Sequence, residues 1–196
     1  MLRTLRPALS LMLAMTLLLG VVYPLALTGI AQLAFRDQAN GSLIEKDGRL
    51  IGSRLIGQAF SEPKYFWGRP SATSPQPYNA VASGGSNLGP LNPALTDAVR
   101  ARVQALRAAD PGNAAPVPAE LVEASASGLD PDISPAAAAW QAGRVARARG
   151  LALAEVQSLI ASRTVDAPLG FIGQARINVL ELNLALDEYR PQSSRR

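Results

Sequence analysis

The feature that most constrains this chain is its longest uncharged segment, which runs for twenty-nine residues from Pro7 to Phe35. A helix of that length reaches about 43 Å, whereas the hydrocarbon core of a bilayer is roughly 30 Å thick. Arg3 and Arg6 precede the segment and Arg36 follows it. The pattern predicts four parts: a short tail over 1–6, a transmembrane helix over 7–35, an extramembrane domain over 36–190 and a frayed end over 191–196.

A cleaved signal peptide is the alternative interpretation of this segment, with Gly29-Ile30-Ala31 as the small-x-small cleavage site. The apolar core of a signal peptide is usually only about 7–15 residues long, so the sequence favours an uncleaved anchor. Pro24 predicts a kink that a neighbouring helix would accommodate, which makes it a candidate contact with a partner. The charges on the two flanks do not decide the orientation by themselves, and the sequence favours an N-terminus inside.

Composition excludes several classes of function. The chain has no cysteine and no histidine, which removes thiol nucleophiles, Ser-His triads and nearly all zinc or copper sites. Beyond the apolar segment, seventeen cations face fifteen acids, and basic residues do not interleave with aromatic ones. The sequence therefore predicts no nucleic-acid partner and no bound metal.

Periodicity and turn residues predict a mixed α/β soluble domain behind the single N-terminal transmembrane helix. Short apolar stretches around Lys46-Asp47-Gly48 indicate a hairpin within 40–58. About three helices and a late strand are expected. The first helix is expected over 92–110 with Asn92 as its cap. The second begins after Ser134 and Pro135 and ends at Gly150, and the third covers 151–164. The late strand begins at Ile177 and Val179 and continues into a stretch that is ambiguous between strand and helix.

Residues 60–93 form the most unusual stretch, because they are rich in Pro, Gly, Ser and Asn yet hold five aromatic side chains, four of them Tyr65, Phe66, Trp67 and Tyr78. Long connections without secondary structure are usually functional or disordered, and aromatic side chains need burial or a partner. We therefore expect an ordered loop that covers the surface and contacts a partner. The candidate contact residues are Tyr65, Phe66, Trp67, Arg69, Tyr78, Asn79 and Asn87.

Three short patterns suggest chemistry, and each is weak. The stretch Ser83-Gly84-Gly85-Ser86 resembles part of an ATPase signature but lacks a Walker lysine, and its glycines are expected to permit positive φ in a turn. Ser61 and Lys64 match S-x-x-K, which makes a membrane-anchored serine hydrolase the alternative function, although its partner motifs are missing. Asp130 and Asp132 offer too few oxygens for calcium. A stand-alone binding module also remains open.

Six blocks in order resemble one family: NGSLIEKDG, GSRLIGQAF, YFWGRPSAT, YNAVASGGSNLGPLNP, SASGLDPDISPAAA and RINVLELNLALD. Together with the N-terminal span they look like the small C subunit of the Kdp-type potassium-transporting P-type ATPase, over nearly the whole chain. One departure is Asp132, where the family often carries histidine, so a role for that imidazole does not transfer. Asp130, Ser134 and Pro135 still match.

The resemblance implies a non-catalytic accessory subunit of an ATP-driven potassium importer. Its implied partners are a channel-like potassium-binding subunit, a P-type catalytic subunit, a very small membrane peptide as a further candidate, and membrane lipid. The complex, and not this subunit alone, would handle ATP and potassium. The resemblance also implies that this subunit crosses the cell inner membrane once, with its N-terminus in the cytoplasm and its C-terminal domain in the periplasm. The family pattern also implies a catalytic chaperone that raises ATP affinity, with residues 83–86 touching nucleotide. A domain outside the membrane would meet little ATP, which favours a shaped loop instead.

Overall fold

The computed structural model describes residues 2–189, so Arg190 and the predicted frayed end over 191–196 lie outside the described residues. The chain divides into two compact units, the first ending at Ile51 and the second beginning at Gly52. In the first unit, helix α1 (Leu2–Leu17) continues through a π-helical turn (Leu18–Val22) into α2 (Tyr23–Ala34). The stretch Arg3–Ala34 is long and apolar enough to cross a membrane, a property that a signal sequence can share.

Pro24 explains the π-helical turn. Proline lacks the N–H that would bond to the carbonyl one turn earlier, and a helix can absorb that loss by widening. Immediately before Pro24, the Tyr23 N–H bonds to the Leu18 carbonyl, five residues back. The Thr28 hydroxyl then donates to the Pro24 carbonyl at 2.8 Å. The predicted interruption at Pro24 thus takes the form of a π turn, and the Pro24 side chain is exposed.

A short helix α3 (Arg36–Ala39) and the predicted hairpin follow the long helix. Strands β1 (Leu43–Lys46) and β2 (Arg49–Ser53) pair as a two-stranded sheet. Asp47 and Gly48 make the turn with φ of +53° and +72°, as a type I′ turn requires. The hairpin prediction is confirmed.

The second unit is built mainly from helices α4 (Pro93–Ala109), α5 (Pro135–Arg149), α6 (Leu153–Arg163) and α7 (Val179–Glu188). The Asn92 side chain accepts the Ala94 N–H, and the Ser134 hydroxyl accepts the Ala137 N–H, so both predicted caps are confirmed. Gly150 ends α5 with φ of +65°, a left-handed cap that glycine adopts without strain.

A second small sheet joins the helices. Strand β3 (Asp132–Ile133) pairs antiparallel with β4 (Ile177–Asn178), with Ile133 opposite Ile177. Those two isoleucines are buried with the inner faces of α5, α6 and α7 in one hydrophobic core. The core thus brings the turn around residue 130 next to the start of α7.

The late part of the chain differs from the sequence prediction in one respect. Ile177 lies in a strand as expected, but Val179 begins helix α7. The Asn178 side chain accepts the Glu181 N–H and so caps that helix. Val179, Leu180, Leu182 and Leu186 are buried on both sides of α7, which gives a nearly continuous apolar run without a clear period.

Candidate functional site

Two buried amide side chains hold the aromatic stretch of the 60–93 loop. The Asn183 Oδ1 atom on α7 accepts the Phe66 N–H at 2.8 Å, and its Nδ2 donates to the Phe66 carbonyl at 3.0 Å. Gln141 on α5 does the same for Trp67, accepting the N–H at 2.8 Å and donating to the carbonyl at 3.0 Å. These amides therefore replace the neighbouring strand that the loop lacks, and we call them the amide clamp.

A buried arginine reinforces the amide clamp. Arg144 Nη1 donates to the carbonyls of Pro63 at 2.6 Å and Tyr65 at 3.0 Å, and Nη2 donates to Gln141 Oε1 at 2.7 Å. Its guanidinium lies 4.3 Å from the Trp67 ring centroid, a cation–π geometry. Burial lowers the pKa of Arg144 to about 10, with Asp110 opposing that shift, so the side chain remains charged at neutral pH.

The three consecutive aromatic residues have different environments. The Phe66 side chain has no exposed surface and belongs to the hydrophobic core, so it is not available to a partner in this structure. Tyr65 donates to Asp187 at 3.0 Å, and Arg149 lies over its ring. Trp67 is half-buried against the core. Of this run, the structure leaves Tyr65 and Trp67 partly accessible.

Arg69 and Tyr78 form a second anchor of the loop. Arg69 Nη1 lies 3.0 Å from Asp130 Oδ2, and the Tyr78 hydroxyl donates to the Arg69 carbonyl at 2.5 Å. Burial, with the nearby Asp130 charge, raises the pKa of Tyr78 to about 12. The Tyr78 ring fits only because residue 57 is glycine, since a Cβ there would come within 2.3 Å of it. The structure thus brings Arg69, Tyr78 and Asp130 together.

The other two candidate contacts lie further along the loop. Asn79 organises the segment from within, donating to the Ser74 carbonyl at 2.9 Å and accepting the Val81 N–H at 3.1 Å. Asn87 is exposed and takes a left-handed φ of +51°, a conformation that asparagine tolerates better than most residues. Asn79 therefore shapes the loop, and Asn87 marks a bend in it.

The stretch Ser83–Ser86 lies against the turn that precedes Asp130. The Gly84 N–H bonds to the Ser127 carbonyl at 2.8 Å, and the Ser83 hydroxyl donates to the same oxygen at 3.0 Å. A Cβ at position 85 would lie 3.0 Å from the Ala126 carbonyl. Neither Gly84 nor Gly85 has a positive φ, so that expectation is wrong, and close approach of two backbones explains Gly85 instead.

The S-x-x-K pair lacks the geometry of a serine hydrolase. That chemistry needs the serine at a helix N-terminus, and Ser61 lies in irregular structure. Lys64 is exposed and pairs with Glu62 at 2.8 Å. Its hydrogen bond to Glu62 raises the pKa of Lys64, which opposes the neutral amine that a general base requires. The hydrolase alternative is therefore not favoured.

Acidic residues near β3 form an ion pair and accept hydrogen bonds. Asp132 Oδ2 lies 3.2 Å from Arg176 Nε, and Glu120 accepts both the N–H and the hydroxyl of Ser134. Between residues 2 and 189, no group of three or more acidic side chains has an arrangement that could hold a metal ion. Burial and the neighbouring Asp130 charge raise the pKa of Asp132.

We expect Asp132→Asn to raise the free energy of unfolding at neutral pH. The raised pKa means that the folded state disfavours the charged carboxyl, so the wild type carries a penalty above that pKa. The penalty should shrink as the pH falls toward 3.8 and vanish below it, because the carboxyl is then protonated in both states. The check is denaturant unfolding from pH 7 to pH 3.5, with exposed Asp97→Asn as the matched control. A variant less stable than wild type throughout would show that the pair with Arg176 outweighs burial.

Sequence reasoning missed two features of the domain, the amide clamp and an exposed apolar tip. Gln141, Arg144 and Asn183 were not identified, although a glutamine and an arginine on the apolar face of α5 could have signalled buried partners. The loop between α6 and β4 is closed by paired Val165 and Arg176 and carries an exposed apolar tip. Its exposed side chains are Leu169, Phe171 and Ile172.

Comparison with known proteins places the chain in a family. The family model described as K+-transporting ATPase, c chain, matches residues 5–188. The chain belongs to the KdpC family. A "Potassium-transporting ATPase KdpC subunit" of Polaromonas naphthalenivorans is 67% identical over 187 residues, 95% of each chain. That of Variovorax paradoxus is 66% identical over 93% of this chain and 94% of its own, and that of Sorangium cellulosum is 63% identical over 97% and 100%.

The extent of this similarity confirms the family resemblance identified from the sequence blocks. The match begins within the long N-terminal helix and ends in α7, so it includes the amide clamp and the whole 60–93 loop. Trp67, Gln141 and Asn183 therefore lie inside the family domain.

Proposed function

We propose that this protein is a non-catalytic accessory subunit that stabilises an ATP-driven potassium import complex. The observation that carries the proposal is the amide clamp, which fixes the aromatic stretch of an irregular loop in which Trp67, Arg69 and Tyr78 stay partly exposed. Fixing roughly thirty residues of irregular backbone costs considerable conformational entropy. Tryptophan, tyrosine and arginine are also the residues that most often dominate protein–protein interfaces. The loop is therefore the surface that contacts other chains.

Catalysis resides in a partner in this proposal. The sequence has no D-K-T-G phosphorylation loop, and the candidate pair Ser61 and Lys64 lacks hydrolase geometry. The partners are a channel-like potassium-binding subunit and a catalytic subunit of the P-type ATPase class. Relatives named as subunits of a potassium-transporting ATPase support this assignment.

The proposed topology places the N-terminus in the cytoplasm and the second unit outside the inner membrane, with Arg3–Ala34 retained as a single span. The length and hydropathy of that helix support an anchor. The π turn before Pro24 supplies an irregular helix surface for packing against a membrane partner, since π turns are frequent at functional positions. The extramembrane unit then caps the entrance to the channel-like subunit.

In this proposal, the protein affects the ATP affinity of the catalytic subunit only indirectly, by assembling with it. A phosphate cradle needs free backbone N–H groups, and the Gly84 N–H is bonded to the Ser127 carbonyl. Ser83 also donates to that carbonyl. The arrangement favours residues 83–86 as a structural support for the neighbouring turn over a nucleotide contact.

We expect Arg69→Ala to reduce recovery of partner chains with this protein by at least about tenfold, the equivalent of 1.4 kcal/mol. Arg69 is partly exposed beside Asp130, and its loss removes a guanidinium from the surface that the amide clamp presents. The measurement is gentle solubilisation from the native membrane under potassium starvation, followed by identification of the chains that come with the protein.

The matched control is Arg100→Ala, which also removes an arginine paired with an aspartate, but on the exposed face of α4. It should leave recovery unchanged. If the wild type is recovered alone and stable, the accessory-subunit proposal fails and a stand-alone binding module replaces it. If both variants retain the partners, the loop is not the contact surface.

A further inference from the structure

A cavity of about 320 Å³ lies between the 60–93 loop and α4, within the second unit. Its walls include the rings of Phe60, Trp67 and Tyr78 on the loop and the side chains of Leu106 and Leu121 on the opposite side. Ligand pockets typically span about 300–1,000 Å³, so this cavity accommodates one or two side chains and not a folded element.

The cavity wall carries one guanidinium that no carboxylate of the described residues neutralises. Arg102, on α4, lines the cavity and donates to the Val122 carbonyl at 2.7 Å. Within residues 2–189, no carboxylate lies at ion-pair distance from Arg102. Arg69 also lines the cavity, but its guanidinium is paired with Asp130, so Arg102 is the charge left for a ligand. An apolar recess with an unneutralised guanidinium at its wall is complementary to a ligand that combines an apolar group with an anion.

We propose that this cavity binds an apolar side chain and an adjacent carboxylate from another chain of the ATPase. The inference rests on the proposed function and adds to it the chemistry of the contact. A polypeptide occupant is favoured because Trp67, Arg69 and Tyr78 form both the cavity wall and the surface assigned to subunit contact. The apolar side chain packs among the rings, and the carboxylate pairs with Arg102.

A steric block tests the cavity directly. Ala105 is exposed and lines the cavity, so Ala105→Trp fills the space and removes no side chain larger than a methyl group. Ala108 is also exposed on α4 but does not line the cavity, which makes Ala108→Trp the matched control. We expect Ala105→Trp to lower recovery of partner chains at least about tenfold and Ala108→Trp to change it by less than about twofold. Equal recovery with both variants would overturn the proposal.

Charge is tested separately at Arg102. Arg102→Glu should reduce partner recovery at least about tenfold, because it places a carboxylate next to the carboxylate of the occupant. Arg102→Lys retains the positive charge and should keep most of the binding. Thermal unfolding of each full-length variant in detergent establishes that it folds. If Arg102→Glu folds and assembles normally, the occupant is not acidic and the proposal fails.

A photo-crosslinking amino acid at position 105 of the full chain identifies the occupant in the native membrane. A crosslink to another chain of the ATPase, at an apolar residue next to Asp or Glu, supports the proposal. A crosslink only to lipid or a small molecule, or none, with the complex still recovered, overturns it and leaves the accessory-subunit role intact. If the wild-type chain is recovered without partners, the proposed function itself fails, and this inference fails with it.

Discussion

Replacing Phe66 with alanine is expected to lower the free energy of unfolding by about 3–5 kcal/mol, the usual range for deleting a buried aromatic ring. Phe66 has no exposed surface and is the largest of the fully buried side chains in the described part of the chain. The loss combines transfer of the ring to water with the cavity left behind. The measurement is urea unfolding of the full-length protein in detergent, followed by the fluorescence of Trp67 and Trp140.

Phe171→Ala is the matched control, because the same ring is removed from a side chain that is 77% exposed. That variant should change stability by no more than about 0.5 kcal/mol. Phe66→Leu should restore part of the loss, since leucine refills most of the cavity. If Phe66→Ala unfolded like wild type but lost its partners, Phe66 would be a contact residue and not a core residue.

Replacing Asn183 with leucine is expected to cost about 4 kcal/mol, because two buried hydrogen bonds are lost and each orphaned group costs about 1–3 kcal/mol. Leucine has the same branched shape as asparagine but can neither accept the Phe66 N–H nor donate to its carbonyl. The orphaned groups favour release of the loop from α7. Urea unfolding measures the stability, and limited proteolysis within residues 60–93 measures the release.

The matched control for Asn183→Leu is Gln157→Leu, which removes an amide from the exposed face of α6. It should change stability by no more than about 0.5 kcal/mol and leave the loop resistant to proteolysis. A loss below about 1 kcal/mol in Asn183→Leu would show that water replaces the amide and that the clamp contributes little.

Elements whose signals are local were predictable from the sequence. Helix α4 follows Asn92 and Pro93, and α5 lies between Ser134 and Gly150, where caps and stops occupy adjacent positions. The hairpin was identified because Asp47-Gly48 favours one turn type. Helix α7 was harder to predict, because burial on both sides erased its period, and within 177–189 the strand is limited to Ile177–Asn178.

The candidate contact residues were predictable as a group but not individually. An aromatic-rich loop without secondary structure indicated order, yet Tyr65, Phe66 and Trp67 are adjacent and look alike in the sequence. Only packing separates Phe66, which is buried, from its neighbours, which are partly accessible. Asn79 likewise proved to shape the loop, through bonds to backbone groups near it.

The sequence by itself determined the apolar span, the family and the helices that begin and end at clear caps, because those features depend on residues close together in the chain. Tertiary structure decided how the loop is held. Gln141 and Asn183 bond to backbone groups that are 74 and 117 residues away. A side chain's hydrogen-bond partner at that separation depends on how the helices pack, and no local pattern of residues encodes it.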